Sequence, residues 1–457
     1  LGFGSIGQAT LPLVLRHLEV AAANIRIIAA DDSGRDIARQ FGVDLQVRGL
    51  GKADYRSILE PRLGAGDFLL NLSVDVASLA LIELCRQRGA LYLDTCIEPW
   101  AGGYRDTALS LSQRSNYALR EAVLAFRRQA GSGGPTAVLT HGANPGLASI
   151  FVKQALLDMA ADHRLALARP ASYQDWALLA RRLNIRAIHI AERDTQTAAP
   201  RKRRGEFVNT WSVDGFAAEA LQPAELGWGS HERHWPADAA RHGFGCDAAI
   251  YLSRPGAATR VRSWTPLEGP YHGFLISHGE SISIADHLTL RDADELVYRP
   301  TVHYAYHPCD DAVLSLHEMA GRNWRLQARQ RIARDELTAG MDELGVLLMG
   351  NDKGVYWYGS RLSVAQARRL APCNNATTLQ VAAGVLGGMV WALRHPAAGI
   401  VEPDDIDYPP VLAVARPYLG ELLGVYGDWT PLAGRSRLFD EDIDAADPWQ
   451  FKNFRVA

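Results

Sequence analysis

The sequence predicts an α/β protein: a Rossmann-type doubly wound parallel sheet, followed by a second α+β catalytic or substrate domain built on a mixed sheet. Three observations predict this architecture. A G-x-G-x-x-G run opens the chain, a β-branched run ends in Asp31-Asp32 soon after it, and strand-like and helix-like segments alternate up to about residue 145. Alternation of this kind is typical of parallel sheets whose faces are covered by helices.

The glycine-rich run consists of Gly2, Gly4 and Gly7, with Ser5 and Ile6 between them. In a dinucleotide-binding unit, the first glycine makes the tight turn and the second lets the backbone approach the pyrophosphate. The third lets the following helix, expected over 9–18, pack against the strand. The chain has 41 glycines, so this spacing is a weak signal unless its context supports it.

The context is the β-branched run 24–30, which ends in Asp31. A carboxylate there would hold the adenosine ribose hydroxyls and repel a 2′-phosphate, which favours NAD over NADP. Arg35 leaves NADP open as the alternative. Only Leu1 precedes the glycine turn, and we expect the first strand of the sheet to lie upstream of the recorded chain, because a Rossmann sheet without it would expose its central edges.

Further strands are expected over 44–47, 68–72, 90–93 and 136–139, with helices over 35–41, 76–88 and 117–129. Ligands bind outside the carboxyl ends of such strands. The polar residues at those ends are Asn71, Ser73, Thr95 and Asn144, which become candidates for the nicotinamide and ribose side of the cofactor. The alternative is that they are ordinary turn formers and helix caps.

After residue 145 the pattern changes. Helices are expected over 150–161 and 173–184, then short aromatic-rich strands over 187–191, 206–212, 248–252, 274–277, 281–284, 296–298, 302–306 and 344–349. A further helix is expected over 375–393, followed by a proline-rich tail. We therefore predict an NAD-binding domain over 1–145, a catalytic domain over 146–374, and a C-terminal helix and tail over 375–457 that return to the first domain.

Composition narrows the functional class. Hydrophobic residues make up 47% and charged residues 22% of the chain, which is ordinary for a globular protein. A net charge of -3 argues against a nucleic-acid binder, and the basic run 201–204 is expected to be a solvated loop. The apolar stretch 377–393 is expected to be a core helix, not a membrane span. Five cysteines without a C-x-x-C pair suit a reducing, cytoplasmic compartment.

The segment 189–232 is dense in carboxylates and aromatic residues. It includes Glu192, Trp211 and Glu219 in loop-like or β-like sequence. Such a mixture can recognise an organic cation, because carboxylates hold ammonium groups and an aromatic face attracts the charge. The alternative is solvated acids and core tryptophans. His278 lies beside an expected strand and can titrate near neutral pH, although a structural histidine is the more common case.

A metal site is not expected. His303 and His307 lie in β-like sequence interrupted by Pro308, without H-E-x-x-H or a cysteine quartet. No G-x-S-x-G elbow supports a serine nucleophile.

Several longer strings are more specific, and in them the chain resembles the bacterial homospermidine synthase family, within a saccharopine dehydrogenase-like superfamily. The resemblance covers nearly the whole chain. The chain departs from the family pattern in two places, the missing first strand and the basic loop 201–204. The strings are 1–7, 71–75, 98–100, 142–146, 189–195, 209–213, 221–228, 262–266, 280–286, 303–308 and 428–434.

The resemblance implies an NAD-dependent aminobutyl transfer. Putrescine is oxidised to an imine, a second putrescine displaces ammonia, and the secondary imine is reduced to homospermidine, with no net redox change; spermidine is the alternative aminobutyl donor. A homodimer with polyamine substrates is implied, and no nucleic-acid or membrane partner.

The resemblance also implies site residues. Glu192 and Glu219 line the diamine pocket, and Trp211 holds the cationic intermediate. His278, Asn144 and Glu98 match other pocket residues. Since hydride leaves a carbon bearing a neutral amine, Glu219 or Glu192 is expected to act as general base with a raised pKa.

Two alternatives stay open. A carboxynorspermidine- or saccharopine-type dehydrogenase shares this architecture but needs a cationic clamp for a substrate carboxylate. A non-catalytic regulator that responds to NAD or polyamines would bind without turnover.

Overall fold

The computed structural model describes residues 1–166 and 168–456. Its helices are α1 Ser5–His17, α2 Arg35–Gln40, α3 Tyr55–Leu59, α4 Ser78–Arg88, α5 Asn116–Ala130, α6 Leu147–Asp162, α7 Tyr173–Arg182, α8 Asp214–Leu221, α9 Gly279–His287, α10 Asp310–Gly321, α11 Val364–Leu370, α12 Ala376–Arg394, α13 Tyr408–Ala415 and α14 Phe451–Phe454. Its strands are β1 Arg26–Ala29, β2 Asp44–Val47, β3 Phe68–Asn71, β4 Leu91–Asp94, β5 Ala137–Val138, β6 Ala187–Asp194, β7 Thr197–Ala198, β8 Glu206–Asn209, β9 Pro223–Gly227, β10 Ala239–Arg241, β11 Ala249–Pro255, β12 Arg260–Thr265, β13 Gly269–Phe274, β14 Leu290–Asp292, β15 Glu295–Tyr298, β16 Thr301–His307, β17 Arg329–Ile332, β18 Leu337–Ala339, β19 Met341–Met349, β20 Val355–Ser363, β21 Ile400–Val401 and β22 Glu421–Gly427.

The N-terminal part contains two parallel sheets, β1-β2 and β21-β5-β4-β3. The first two residues of the chain join them. The Gly2 N–H donates to the Ile28 carbonyl (2.9 Å), and the Leu72 N–H donates to the Leu1 carbonyl (2.8 Å). The Leu1 nitrogen also donates to the Leu70 carbonyl (2.6 Å). Leu1 and Gly2 therefore lie between β1 and β3, and the glycine turn begins at the edge where both strands end.

The second part is built on a ten-stranded mixed sheet with the main order β10-β11-β9-β16-β6-β19-β20-β22 and with β12 and β13 attached to it. Within it, β16 and β6 are parallel, whereas β6 and β19 are antiparallel. Glu192 on β6 lies opposite Tyr306 on β16 and Leu344 on β19. This central position, under helices on the same face, removes Glu192 from solvent.

The expected strand 281–284 is wrong, because these residues lie in helix α9. Ile282 and Ile284 are both buried, and α9 packs against β9 and β16. A helix covered on several sides needs apolar residues around much of its circumference, so its sequence imitates the alternation of a strand. The neighbouring expected strand 274–277 is also displaced, since β13 ends at Phe274. Glu219, expected in loop-like or β-like sequence, lies on helix α8.

The residues after 375 contact both parts of the molecule. Helix α12 packs against α1 and β4, β21 pairs with β5, and β22 pairs with β20. Helix α12 is apolar and, with 19 residues, long enough to cross a membrane, yet 83% of its most apolar stretch is buried inside the protein. The division at residues 145 and 374 remains a prediction.

The basic run is only partly a solvated loop. Arg201 is exposed and contacts Asp311 on α10 (Nε to Oδ1, 2.9 Å). The Lys202 side chain, in contrast, is 7% exposed and pairs with Glu318 on the same helix. Acidic side chains of α10 therefore neutralise part of the run and attach it to the domain.

Candidate functional site

The glycine turn has the shape that a pyrophosphate needs. Gly2 has φ +75°, and a Cβ atom there would lie 2.5 Å from the Leu72 carbonyl oxygen. At Gly7 a Cβ would lie 3.0 Å from the Gly2 carbonyl oxygen. At Gly4 it would meet no protein atom within 4 Å. Helix α1 begins directly after this open space, at Ser5 and Ile6, so its free N–H groups can face an anion.

The ribose side of the turn carries Asp31, just after β1. Its Oδ1 accepts a hydrogen bond from the Ser33 N–H (2.8 Å). Hydrogen bonds from Ser33 lower the pKa of Asp31, so the group is an anion at neutral pH. Arg35 lies 3.7 Å from Asp32 (Nε to Oδ2) and is thus directed toward a carboxylate. This arrangement fits a ribose with free hydroxyls better than one with a 2′-phosphate.

At the carboxyl ends of β3 and β4, the expected polar residues Asn71 and Ser73 form a short chain of hydrogen bonds with Tyr92. The Ser73 hydroxyl donates to Asn71 Oδ1 (2.5 Å), and Asn71 Nδ2 donates to the Tyr92 hydroxyl (3.2 Å). Thr95 directly follows β4 and is partly exposed. These residues line the edge next to the glycine turn, whereas Asn144 is directed into the second domain.

Asn144 and Tyr304 hold Glu192. The Asn144 amide and the Tyr304 hydroxyl both donate to Glu192 Oε2. Glu192 is 1% exposed. Burial raises its pKa, while the two hydrogen bonds oppose the rise and the nearby charge of Asp194 adds to it. Glu192 is therefore a fixed carboxyl group whose proton affinity is higher than that of a solvated glutamate.

His278 lies between two carboxylates. Its Nε2 is 3.2 Å from Glu219 Oε2, and its Nδ1 is 3.2 Å from Glu280 Oε1. Burial alone would lower the pKa of His278, but the charges of Glu280 and Glu219 outweigh it and raise the pKa to about 10. The imidazole ring also lies 4.5 Å from the Tyr304 ring, centroid to centroid. The site thus contains an imidazolium ion between Glu219 and the residues around Glu192.

Trp211 connects the glycine turn to the largely buried group of side chains around Glu192, His278 and Glu219, which we call the pocket. Its indole Nε1–H donates to the Tyr306 hydroxyl (3.3 Å), and its main-chain carbonyl accepts from the Ser5 hydroxyl. Tyr306 stacks on Tyr304 at a centroid distance of 5.1 Å. Trp211 is only partly buried, and these contacts place it between the cofactor turn and the acids.

Glu98 lies close enough to Glu219 for the two charges to interact. Its Oε2 accepts a weak hydrogen bond from the Asp75 N–H (3.4 Å). Burial raises the pKa of Glu98 to about 8, and the negative charge of Glu219 contributes to the rise. Glu98 is therefore protonated at neutral pH and can donate a hydrogen bond.

Sequence reasoning did not single out three further pocket residues: Tyr304, Tyr306 and Glu280. They lie in the strings that carry the family resemblance, and this was the one signal that pointed to them. Other residues of the acidic segment have different roles. Glu225 accepts the Asn116 N–H at the start of α5 (2.9 Å), and Glu232 accepts the Thr301 hydroxyl.

The histidines considered for a metal site lie apart from this pocket. The His303 ring lies 4.0 Å from the His189 ring, centroid to centroid and tilted by 34°, and both are fully buried. The His307 ring lies against Tyr271 at a centroid distance of 6.3 Å. Among the residues that the structure describes, no three His, Cys, Asp or Glu side chains are placed to hold a metal ion.

This fold and this site define a class: a two-domain protein with a Rossmann-type dinucleotide site next to a buried pocket of acids and aromatic rings. Family models agree with the class. The saccharopine dehydrogenase NADP binding domain matches residues 1–138, and the saccharopine dehydrogenase C-terminal domain matches residues 142–428. Within this class, the chain belongs to the homospermidine synthase family.

The membership rests on full-length relatives. A homospermidine synthase of Blastochloris viridis is 55% identical over all of this chain and 96% of its own length. One of Mesorhizobium japonicum is 50% identical over all of this chain and 95% of its own length. The crystal structure of the homospermidine synthase of Legionella pneumophila in complex with NAD is 49% identical, with a TM-score of 0.94, and covers all of this chain and 96% of its own.

Proposed function

We propose that this chain is an NAD-dependent homospermidine synthase, which transfers an aminobutyl group to putrescine. The donor is putrescine, which releases ammonia, or spermidine, which releases 1,3-diaminopropane. One observation carries the proposal: Trp211 bonds through its carbonyl to Ser5 of the dinucleotide turn and through its indole to Tyr306, beside Glu192. The pocket that suits an organic dication is therefore attached to the pocket that suits NAD.

We assign Gly2 to Gly7 to the pyrophosphate of NAD and Asp31 to its ribose. Asn71, Ser73 and Thr95 are assigned to the nicotinamide and its ribose. Asn144 can contribute there through its amide oxygen, because its amide nitrogen donates to Glu192 and Tyr304. When bound, NAD supplies a hydride acceptor and donor, so that the amine carbon is oxidised and the product imine is reduced without net redox change.

Glu192 is the general base that we favour. Putrescine amines carry protons at neutral pH, as lysine does, and a carbon loses hydride only when its amine is neutral. Glu192 is buried, fixed by Asn144 and Tyr304, and has a raised pKa. These are the properties of a base matched to neutral pH.

Glu219 and Trp211 bind the two other positive charges of the reaction, those of the far ammonium group and of the cationic imine. The Glu219 carboxylate, oriented by the His278 imidazolium at 3.2 Å, anchors the far ammonium group. The Trp211 face stabilises the cationic imine by cation–π attraction. Glu98, protonated at neutral pH, supplies a hydrogen-bond donor without adding a negative charge.

A cytoplasmic homodimer is part of the proposal. The described cysteines are all free, which suits a reducing compartment, and the dimer rests on the family resemblance. Light scattering after gel filtration tests the dimer.

Incubation with putrescine and substoichiometric NAD⁺ tests the activity. Homospermidine and ammonia in excess of NAD⁺, without accumulation of NADH, are expected. Accumulation of NADH in amounts equal to the NAD⁺ supplied would indicate the carboxynorspermidine- or saccharopine-type dehydrogenase. A requirement for a carboxylated substrate would indicate the same alternative. Putrescine binding without product, weakened in Glu219→Gln, would indicate the regulator.

A further inference from the structure

Three carboxyl groups lie together behind the pocket, on one face of the mixed sheet. Glu192 and Asp194 are two residues apart on β6, so they share a face. Asp342 on β19 lies directly opposite Asp194 in the antiparallel register. Their relative exposures are 1% for Glu192 and 0% for Asp194 and Asp342. Water therefore cannot screen the repulsion between three carboxylates at this position.

The hydrogen bonds of the three groups differ. Asp194 uses both oxygens, accepting from the Gln196 N–H (2.8 Å) and from the Thr210 hydroxyl (3.0 Å). Asp342 Oδ2 accepts from the Thr377 hydroxyl of α12 (2.5 Å). Asp342 Oδ1, although fully buried, has no hydrogen-bond partner among the residues that the structure describes. A bare carboxylate oxygen in that position would carry the full cost of desolvation.

The groups that face the cluster do not neutralise it. From β16 comes Tyr306, and from the following turn Cys309, and both are uncharged at neutral pH because burial and the nearby acids raise their pKa well above the usual values. Arg193 on β6 pairs with Glu268 and Asp310, and its charge only partly opposes the rise in the pKa of Asp194 that burial causes. The His278 imidazolium acts on Glu192. The positive charges near this cluster are therefore too few to balance three carboxylates.

We propose that Asp342 is held as a neutral carboxylic acid that donates a hydrogen bond to Glu192 and so acts as a positioning residue for that carboxylate. The Asp342 and Glu192 carboxyl groups are within hydrogen-bond contact of each other, so a proton on Oδ1 gives this atom a partner and removes one of the three charges. Burial and the charges of Glu192 and Asp194 raise the pKa of Asp342 well above its usual range, in agreement with this state. Ketosteroid isomerase, a standard example, uses such a neutral acid as a donor.

The inference deepens the proposed function, on which its catalytic consequence rests. With Asp342 as donor and Asn144 and Tyr304 as further donors, Glu192 is fixed from three sides and remains the one base that faces the substrate. The protonation state of Asp342 itself is a property of the folded protein and does not depend on which reaction occurs.

Infrared difference spectroscopy of the NAD-loaded enzyme at pH 7 tests the protonation state. Asp342→Asn is compared with Asp194→Asn, the matched control opposite it in the register. Wild type minus Asp342→Asn is expected to contain the C=O band of a carboxylic acid. Wild type minus Asp194→Asn is expected to contain carboxylate bands only. A carboxylic acid band that is lost in Asp194→Asn and kept in Asp342→Asn overturns the proposal, as does the absence of this band from both difference spectra.

Kinetics test the positioning role separately. An asparagine amide can still donate to Glu192, whereas leucine cannot, so kcat is expected to be about tenfold or more higher in Asp342→Asn than in Asp342→Leu. NAD content is expected to be equal in the two variants. Equal kcat values would contradict the positioning role. Absence of homospermidine synthesis in the wild type would instead contradict the proposed function, and the infrared result would stand.

Discussion

The imidazole of His278 lies 3.2 Å from the carboxylate of Glu219 and has a second carboxylate, that of Glu280, on its other nitrogen. The pair joins α8 to the start of α9 inside a buried pocket. Because two acids face one imidazole, His278 carries its charge through neutral pH, and the pocket holds one negative charge fewer than its acids suggest. A diamine therefore meets anions at Glu192 and Glu219, separated by a cation.

Stability is expected to depend on this ionisation. The folded pKa of His278, about 10, lies above its usual value of 6.5, so its stabilising contribution is complete below pH 6.5 and is lost as the pH rises to about 10. The free energy of unfolding of the wild type, relative to His278→Gln, is expected to fall on the order of a few kcal/mol across that range. Urea denaturation at several pH values measures it. A difference independent of pH would show that folding does not raise the pKa of His278.

Trp211→Ala is expected to lower homospermidine formation. Removal of the ring removes a cation–π attraction on the order of 1–2 kcal/mol in a desolvated site, which corresponds to a loss in kcat of about tenfold or more. Trp211→Phe is the control, because it keeps an aromatic face but loses the indole N–H that reaches Tyr306. An intermediate kcat is expected for it. If Trp211→Ala turned over putrescine like the wild type, the ring would only fill space.

The parts of this site that depend on local sequence could be predicted from it. Gly2 to Gly7 and Asp31 occupy a turn and a strand end whose geometry follows from nearby residues. Contacts between distant strands could not be predicted in this way. Tyr304 contacts Glu192 because β16 pairs with β6 in one particular register. Asp342 lies opposite Asp194 because β19 pairs with the other edge of β6, also in one register.

The error at α9 has a related cause. Ile282 and Ile284 are buried because of the sheet that the helix covers, and no local pattern reports that sheet. The density of acids and aromatic residues in 189–232 indicated the pocket, but not which acids line it. Only the resemblance separated Glu192 and Glu219 from Glu225, which instead binds the start of α5.

Arg120 and Glu402 are expected to be essential for stability. Arg120 Nε and Nη2 donate to the two oxygens of Glu402 (2.6 and 2.8 Å), and Nη2 also donates to Asp286 (2.9 Å). Both partners are nearly excluded from solvent. Glu402→Ala leaves a buried guanidinium with fewer partners and is expected to cost about 3–5 kcal/mol. Arg127→Ala, whose pair with Asp405 is exposed, is the control and is expected to cost under about 1 kcal/mol. Equal costs in thermal denaturation would contradict the distinction.

Gly4→Val is expected to abolish NAD binding while the protein still folds. A Cβ at Gly4 meets no protein atom within 4 Å, and its φ of -69° is open to any residue, so the side chain would project into the space before α1 where the pyrophosphate is expected. Calorimetric titration with NAD⁺, together with a thermal melt, checks both parts. Gly243→Val is the matched control, because Gly243 is exposed and has equally open surroundings, but lies far along the chain from the turn. If Gly4→Val bound NAD⁺ as tightly as Gly243→Val, the pyrophosphate would have to lie elsewhere, and the attachment of Ser5 to Trp211 would lose its meaning for catalysis.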